Sequence, residues 1–300
     1  MTAARTITTD DIARIVTARV CDPRSIAQRL AERPQPSGLV GSTGRLMLIA
    51  ADHPARGALR AGDDALAMGD RTELLDRMVR ALARPGVDGV LGTADVIEDL
   101  ALLGALDGKV AIGSMNRGGL AGTVFEIDDR FTGYDAGTIE SRGLQGGKML
   151  FRIDPDDHAT VRTMEACSRA VGELAERGLM AMVEPFISGR GPDGRIRNDL
   201  STEAVVRSAT VAAGLAPTSA HTWLKLPVVD DMETVLAATT LPVLLLGGEV
   251  AADQDAQFAA WSKALQSPTV RGMVVGRNLL FPPGGDVEAA VDATVEMMTA

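Results

Sequence analysis

The sequence predicts an α/β chain closed into a single (βα)8 TIM barrel, with an extra helix ahead of it. Three observations lead there. Short aliphatic or β-branched runs alternate with stretches of helical period, and the alternation repeats eight times. Strict β-then-α order calls for parallel strands joined by right-handed crossovers. No second composition regime and no linker follow Gly41, which favours a closed ring over an open doubly wound sheet.

The predicted strands are Leu46–Asp52, Gly89–Gly92, Val110–Met115, Lys148–Ile153, Leu179–Pro185, Thr222–Pro227, Val243–Gly247 and Gly272–Gly276. The predicted helices are Arg71–Ala83, Ala94–Leu103, Thr138–Gly143, Ala159–Glu176, Thr202–Ala213, Met232–Ala238, Asp253–Leu265 and Val287–Met298. Ahead of them Thr9–Glu32 reads as one helix, and Arg33–Gly41 as a Pro/Gly-rich connector. Residues 1–41 thus form an extension, and 42–300 the barrel. Polar elongations at Pro54–Asp70, Asn116–Asp135 and Ser188–Asp199 all follow a predicted strand and precede its helix. In a barrel these βα loops surround the C-terminal strand ends, where active sites lie.

Composition narrows the function. The 300 residues are 46% hydrophobic and carry a formal charge of −10, so a core is available and a basic nucleic-acid footprint is not. Aromatic residues make up only 3%, which leaves little surface for stacking bases. No apolar run has the ~18–20 residues of a membrane span, and the start lacks a signal-peptide pattern. Cys21 and Cys167 cannot build a disulfide framework, so the expected location is the cytoplasm. His53, His158 and His221 sit on separate units without ligand spacing, and no metal or other cofactor is expected. Neither a nucleophile elbow nor a dinucleotide glycine motif is present.

Alternation sends every second residue of a barrel strand inward. The inward sets are Leu46, Leu48, Ala50 and Asp52; Lys148, Leu150 and Arg152; Met180, Met182 and Glu184; and His221, Trp223 and Lys225. Two lysines, an arginine and two carboxylates therefore converge in an apolar interior. One such charge could be a structural ion-pair member; five on neighbouring strands point to chemistry, because unpaired charges there cost several kcal/mol. The last two strands end in glycines, Gly247-Gly248 and Gly276 followed by Arg277. Glycines let backbone N–H groups approach an anion, and Arg277 offers a forked contact, so this pair of turns reads as a phosphate cradle.

Ala50-Ala-Asp-His, Phe131-Thr-Gly-Tyr-Asp, Lys148-Met-Leu-Phe, Val183-Glu-Pro, Leu224-Lys-Leu and Val275-Gly-Arg resemble, in that order, motifs of class I tagatose-bisphosphate aldolases. These belong to the deoxyribose-phosphate and fructose-bisphosphate class I aldolase superfamily, and the resemblance spans residues 46–281. It implies an imine-forming lysine at Lys225, an acid/base glutamate at Glu184, a strand-one aspartate at Asp52 and a strand-four lysine at Lys148. It places phosphate contacts on Gly248, Gly276 and Arg277. Two departures stand out: His53-Pro54 after the aspartate, and an anion, Glu249, beside the cradle.

The implied activity is reversible, metal-independent cleavage of a phosphorylated (or sulfonated) ketose, releasing dihydroxyacetone phosphate and an aldehyde. Tagatose or fructose bisphosphate, sulfofructose phosphate and the keto-deoxygluconate phosphate of inositol breakdown are all candidate substrates. A lysine must shed its proton to attack a carbonyl, and burial beside another cation favours that; Lys148 and Arg152 are the expected cations, and Arg152 is also an expected contact of the substrate or its phosphate. Tyr134 is expected to anchor a loop. A non-catalytic sugar-phosphate-binding or regulatory barrel is the alternative. Oligomeric state stays open, a homo-oligomer included.

Overall fold

The computed structural model describes residues 6–41, 43–248 and 254–299. Its strands are β1 (Leu46–Ala51), β2 (Gly89–Gly92), β3 (Val110–Ser114), β4 (Gly146–Ile153), β5 (Met180–Arg190), β6 (Ile196–Asn198), β7 (Thr222–Leu226), β8 (Val243–Leu246) and β9 (Val270–Val275). Every strand except β6 pairs in parallel with its neighbours, in the order β4-β3-β2-β1-β9-β8-β7-β5, and β4 pairs with β5 to close the ring. The chain is a TIM barrel. β6 is not a ring strand: β5 runs on past the barrel rim and pairs antiparallel with it, Ser188 opposite Asn198. The polar stretch after the fifth predicted strand is thus a hairpin, where the sequence reading had an elongated loop.

The barrel helices include α3 (Arg71–Leu82), α4 (Ala94–Leu102), α5 (Ala136–Ser141), α6 (Ala159–Glu176), α7 (Thr202–Ala213), α8 (Met232–Ala237) and α9 (Gln254–Leu265). A four-residue α10 (Arg277–Leu280) precedes the final α11 (Val287–Thr299). Several long loops end on a residue that can cap a helix. Asp70, Asp135, Ser201 and Asp231 accept from the backbone N–H three residues on, at 3.0, 2.6, 3.3 and 3.1 Å. Each satisfies an N–H that the first helical turn leaves free.

The single helix expected over Thr9–Glu32 is two, Thr9–Cys21 and Pro23–Glu32. Pro23 has no N–H to continue the first helix, and it disfavours helical geometry at Asp22, whose φ and ψ are −149° and 66°. The connector then crosses the N-terminal end of the barrel. Buried Arg33 donates to the carbonyl oxygens of Leu106, Lys109 and Gly143 and to the side-chain oxygen of Gln145, at 2.7–3.1 Å. Leu39 packs against the inner apolar cluster.

That cluster comprises Leu46, Leu48 and Ala50 of β1, Leu91, Val110, Ile112, Met180, Met182, Leu244 and Val274, with Trp223 alongside. The outward residues Met149, Phe151, Val183, Leu224 and Leu226 instead join the larger core between sheet and helices. Period-two alternation holds on both sides of the ring. One irregularity lies where β8 meets β9, with Val243 opposite Val270 but Leu245 opposite Met273. The additional residue needs Gly272, whose φ is +139° and whose missing Cβ leaves room for the Leu46 carbonyl oxygen.

Candidate active site

Above the apolar layers the inward positions become charged. Val183 pairs with Leu224, so the next residues, Glu184 and Lys225, stand side by side. Lys225 Nζ donates to Glu184 Oε1 at 2.6 Å. Lys148 lies lower, opposite Met182, and its stem carries the ammonium up to Glu184 Oε2 and, at 3.2 Å, to Asp52 Oδ2. All four residues are buried, none more than 8% exposed. The structure thus brings together the four side chains that the sequence proposes for catalysis.

Arg117 extends the series. Its Nη1 donates to Asp52 Oδ2 at 3.0 Å and to Ser114 Oγ at 3.1 Å, and its Nη2 to the Asp52 carbonyl oxygen. From Lys225 through Glu184, Lys148 and Asp52 to Arg117 the charge alternates at every step. Burial alone pushes both carboxyls up, but the cations outweigh it. Lys148 and Lys225 hold Glu184 at about 2, while Lys148 and Arg117 keep Asp52 well below the carboxylate range. Burial also lowers Lys148, more than its two carboxylates raise it, and the Lys225 charge adds to the lowering.

Sequence reading missed Arg117 and Ser114. Ser114 was accessible by the rule already in use, since it continues the inward phase of Val110 and Ile112. Arg117 had no periodic signal, because it lies beyond β3 in the long loop. The loop is fixed by tertiary contacts: Asn116 donates to the Leu150 carbonyl oxygen and to Asp129, and accepts from Leu150 N at 2.8 Å. Arg56 ion-pairs with Asp129 and donates to the carbonyls of Gly119 and Asn116.

Arg152 has a carboxylate partner of its own. It ion-pairs with Glu126 of the β3–α5 loop, with Nη1 2.8 Å from Oε1, and also feels the Glu184 charge, while Lys148 is the cation in direct contact with Glu184 beside Lys225. Tyr134 packs its ring over Gly113 in the outer core, and burial raises its hydroxyl pKa. His221 precedes β7 and contributes its carbonyl oxygen to Ala181 N.

Gly247 and Gly248 follow β8, and Gly276 and Arg277 follow β9, at the same end of the barrel as the charged cluster. The Gly247 carbonyl accepts from Asn278 at 2.6 Å and from Gln257 at 3.0 Å, tying the two turns together. A Cβ at Gly276 would lie 2.5 Å from the Ala50 carbonyl oxygen and 3.1 Å from the His53 ring. Burial, reinforced by Arg277, Lys225 and Lys148, holds the His53 imidazole at about 3 despite Asp52, so it is neutral. Glu249 lies outside the described residues. No helix among the described residues is long and apolar enough to cross a membrane.

Residues 44–295 match the model of the Cgl0159-like family. The crystal structure of Cgl0159 from Corynebacterium glutamicum (Brevibacterium flavum) is 50% identical over 97% of this chain and 98% of that one, with a TM-score of 0.94. A Schiff-base-forming fructose-1,6-bisphosphate aldolase is 18% identical, with 91% and 99% covered and a TM-score of 0.64. An archaeal fructose-1,6-bisphosphate aldolase, solved with its catalytic lysine bound to the carbinolamine intermediate, is also 18% identical, with 92% and 100% covered and a TM-score of 0.65. At that identity the likeness is one of fold. No functionally curated protein matches the chain. The chain belongs to the Cgl0159-like family.

Proposed function

We propose that this chain is a class I aldolase that reversibly cleaves a phosphorylated ketose through an imine on Lys225. The observation that carries the reading is the buried Lys225 ammonium, 2.6 Å from a carboxylate whose other oxygen is held by Lys148. Structural needs alone do not call for two lysines on one carboxylate inside a barrel.

Glu184 is the base nearest the amine and takes the Lys225 proton as the substrate carbonyl arrives. The freed amine adds to the carbonyl carbon; the oxygen is protonated and leaves as water, producing a protonated imine. A base then removes the proton of the hydroxyl two carbons from the imine carbon. The bond between the intervening carbon and the hydroxyl-bearing carbon breaks, an aldehyde departs, and the electron pair is held as an enamine. Glu184 is positioned to serve this proton transfer and the later return of a proton to carbon. Asp52 keeps Lys148 against Glu184 and assists loss of water. Gly248, Gly276 and Arg277 receive the phosphate, with neutral His53 beside them.

The experiment is reductive trapping. Incubation with dihydroxyacetone phosphate and borohydride should add the reduced ketone irreversibly to the Lys225 peptide. Intact ligand binding without that adduct would instead identify a sugar-phosphate-binding barrel that performs no cleavage.

A further inference from the structure

We infer that the far end of the substrate, the part released as aldehyde, carries no phosphate. The inference rests on the aldolase reading and concerns the side of the mouth away from the glycine cradle. β4 and β9 are the fourth and eighth strands of the ring and face each other across it; β7, bearing Lys225, is the sixth and lies between them. A ketose anchored at the end of β9 with its carbonyl at Lys225 therefore sends its tail toward β4.

Arg152 is the cation on that strand, and it is already matched. Glu126 holds Nη1 at 2.8 Å and is itself fixed, 5% exposed, with its Oε2 accepting from Gly122 N at 2.7 Å. Glu126 meets Arg152 as an ion pair: Nε and Nη1 of Arg152 are buried, and neither makes a hydrogen bond to the described residues. The neighbouring arginines are matched in the same way, Arg56 to Asp129 and Arg117 to Asp52. Each arginine on this side faces a carboxylate, Asp52 being shared with Lys148. A phosphate dianion placed against Arg152 also meets Glu126, and like charges in a partly buried site repel strongly. Hydroxyl oxygens suit the pair better, accepting from Arg152 and donating to Glu126.

The test is condensation of dihydroxyacetone phosphate with D-glyceraldehyde or D-glyceraldehyde 3-phosphate. The expected result is a kcat/KM at least about tenfold higher for the uncharged aldehyde, a modest discrimination for one charge clash. Glu126→Gln, folded by circular dichroism, should narrow that ratio about tenfold by removing the repelling charge. Preference of the unsubstituted protein for the phosphorylated aldehyde, consumption of neither, or an unchanged ratio in a folded Glu126→Gln protein overturns the inference. Absence of a borohydride-stable adduct with dihydroxyacetone phosphate is the separate result that defeats the aldolase reading itself.

Discussion

Arg117 grips Asp52 twice, by the carboxylate at 3.0 Å and by the backbone carbonyl oxygen. The carboxylate therefore stays fixed and ionised while it shares Lys148 with Glu184. Arg117→Met should destabilise the protein by about 3 kcal/mol in urea unfolding, the size expected when one member of a buried pair is removed. It should also raise the Asp52 pKa and move the acid limb of kcat/KM to higher pH. Arg117→Lys should restore part of both; an unmoved acid limb would confine Arg117 to a structural role.

Lys225→Met should abolish both cleavage and reductive trapping while leaving the circular dichroism spectrum unchanged. Cleavage by that protein would end the imine mechanism. Glu184→Gln should form the adduct more slowly but to completion on long incubation, while turnover should fall by roughly 10²- to 10⁴-fold, the usual contribution of a positioned acid/base. Comparing the two separates amine chemistry from proton transfer.

The acid stability of the fold should follow Glu184 and Asp52. Their folded-state values lie below those of the unfolded chain, near ~4.3 for Glu and ~3.9 for Asp. Their stabilisation is therefore complete above those unfolded values and is lost as pH falls through the depressed folded values, about 2 for Glu184 and well below the usual carboxylate range for Asp52. Urea midpoints measured from pH 6 to pH 2 should fall steeply below pH 4.5. Glu184→Gln should flatten that decline, and an unchanged slope would refute the assignment.

Gly272→Ala should destabilise by about 2–4 kcal/mol, since the new Cβ meets backbone rather than a movable side chain, at a φ that disfavours alanine. Gly276→Ala presses on the Ala50 carbonyl oxygen and the His53 ring, so KM for the phosphorylated ketose should rise more than kcat falls. The reverse pattern would place the β9 turn outside the phosphate site.

The two periodicities made much of this architecture readable before any coordinates. Asp52, Glu184 and Lys225 meet because each continues the inward phase of its strand by one even step, and Lys148, which opens the inward series of its own strand level with Met182, reaches them with its long stem. What escaped was set by partners distant in sequence. Arg152 shares the phase of Lys148, yet Glu126, from a loop without period, decides where its charge goes. Arg117 is positioned by a loop whose shape depends on Asn116 meeting Leu150 and Asp129. The break at Asp22-Pro23 was a local signal that sequence reading passed over, because helical period continued on both sides.

Leu39 and the packed side chains above it make the barrel a well with a floor. Traffic must use the rim, so molecules leave in the reverse of the order in which they settled. In the proposed cycle the aldehyde departs while its sister fragment is still tethered to Lys225. Dihydroxyacetone phosphate then emerges last, and excess aldehyde can send the tethered fragment back to ketose before it escapes.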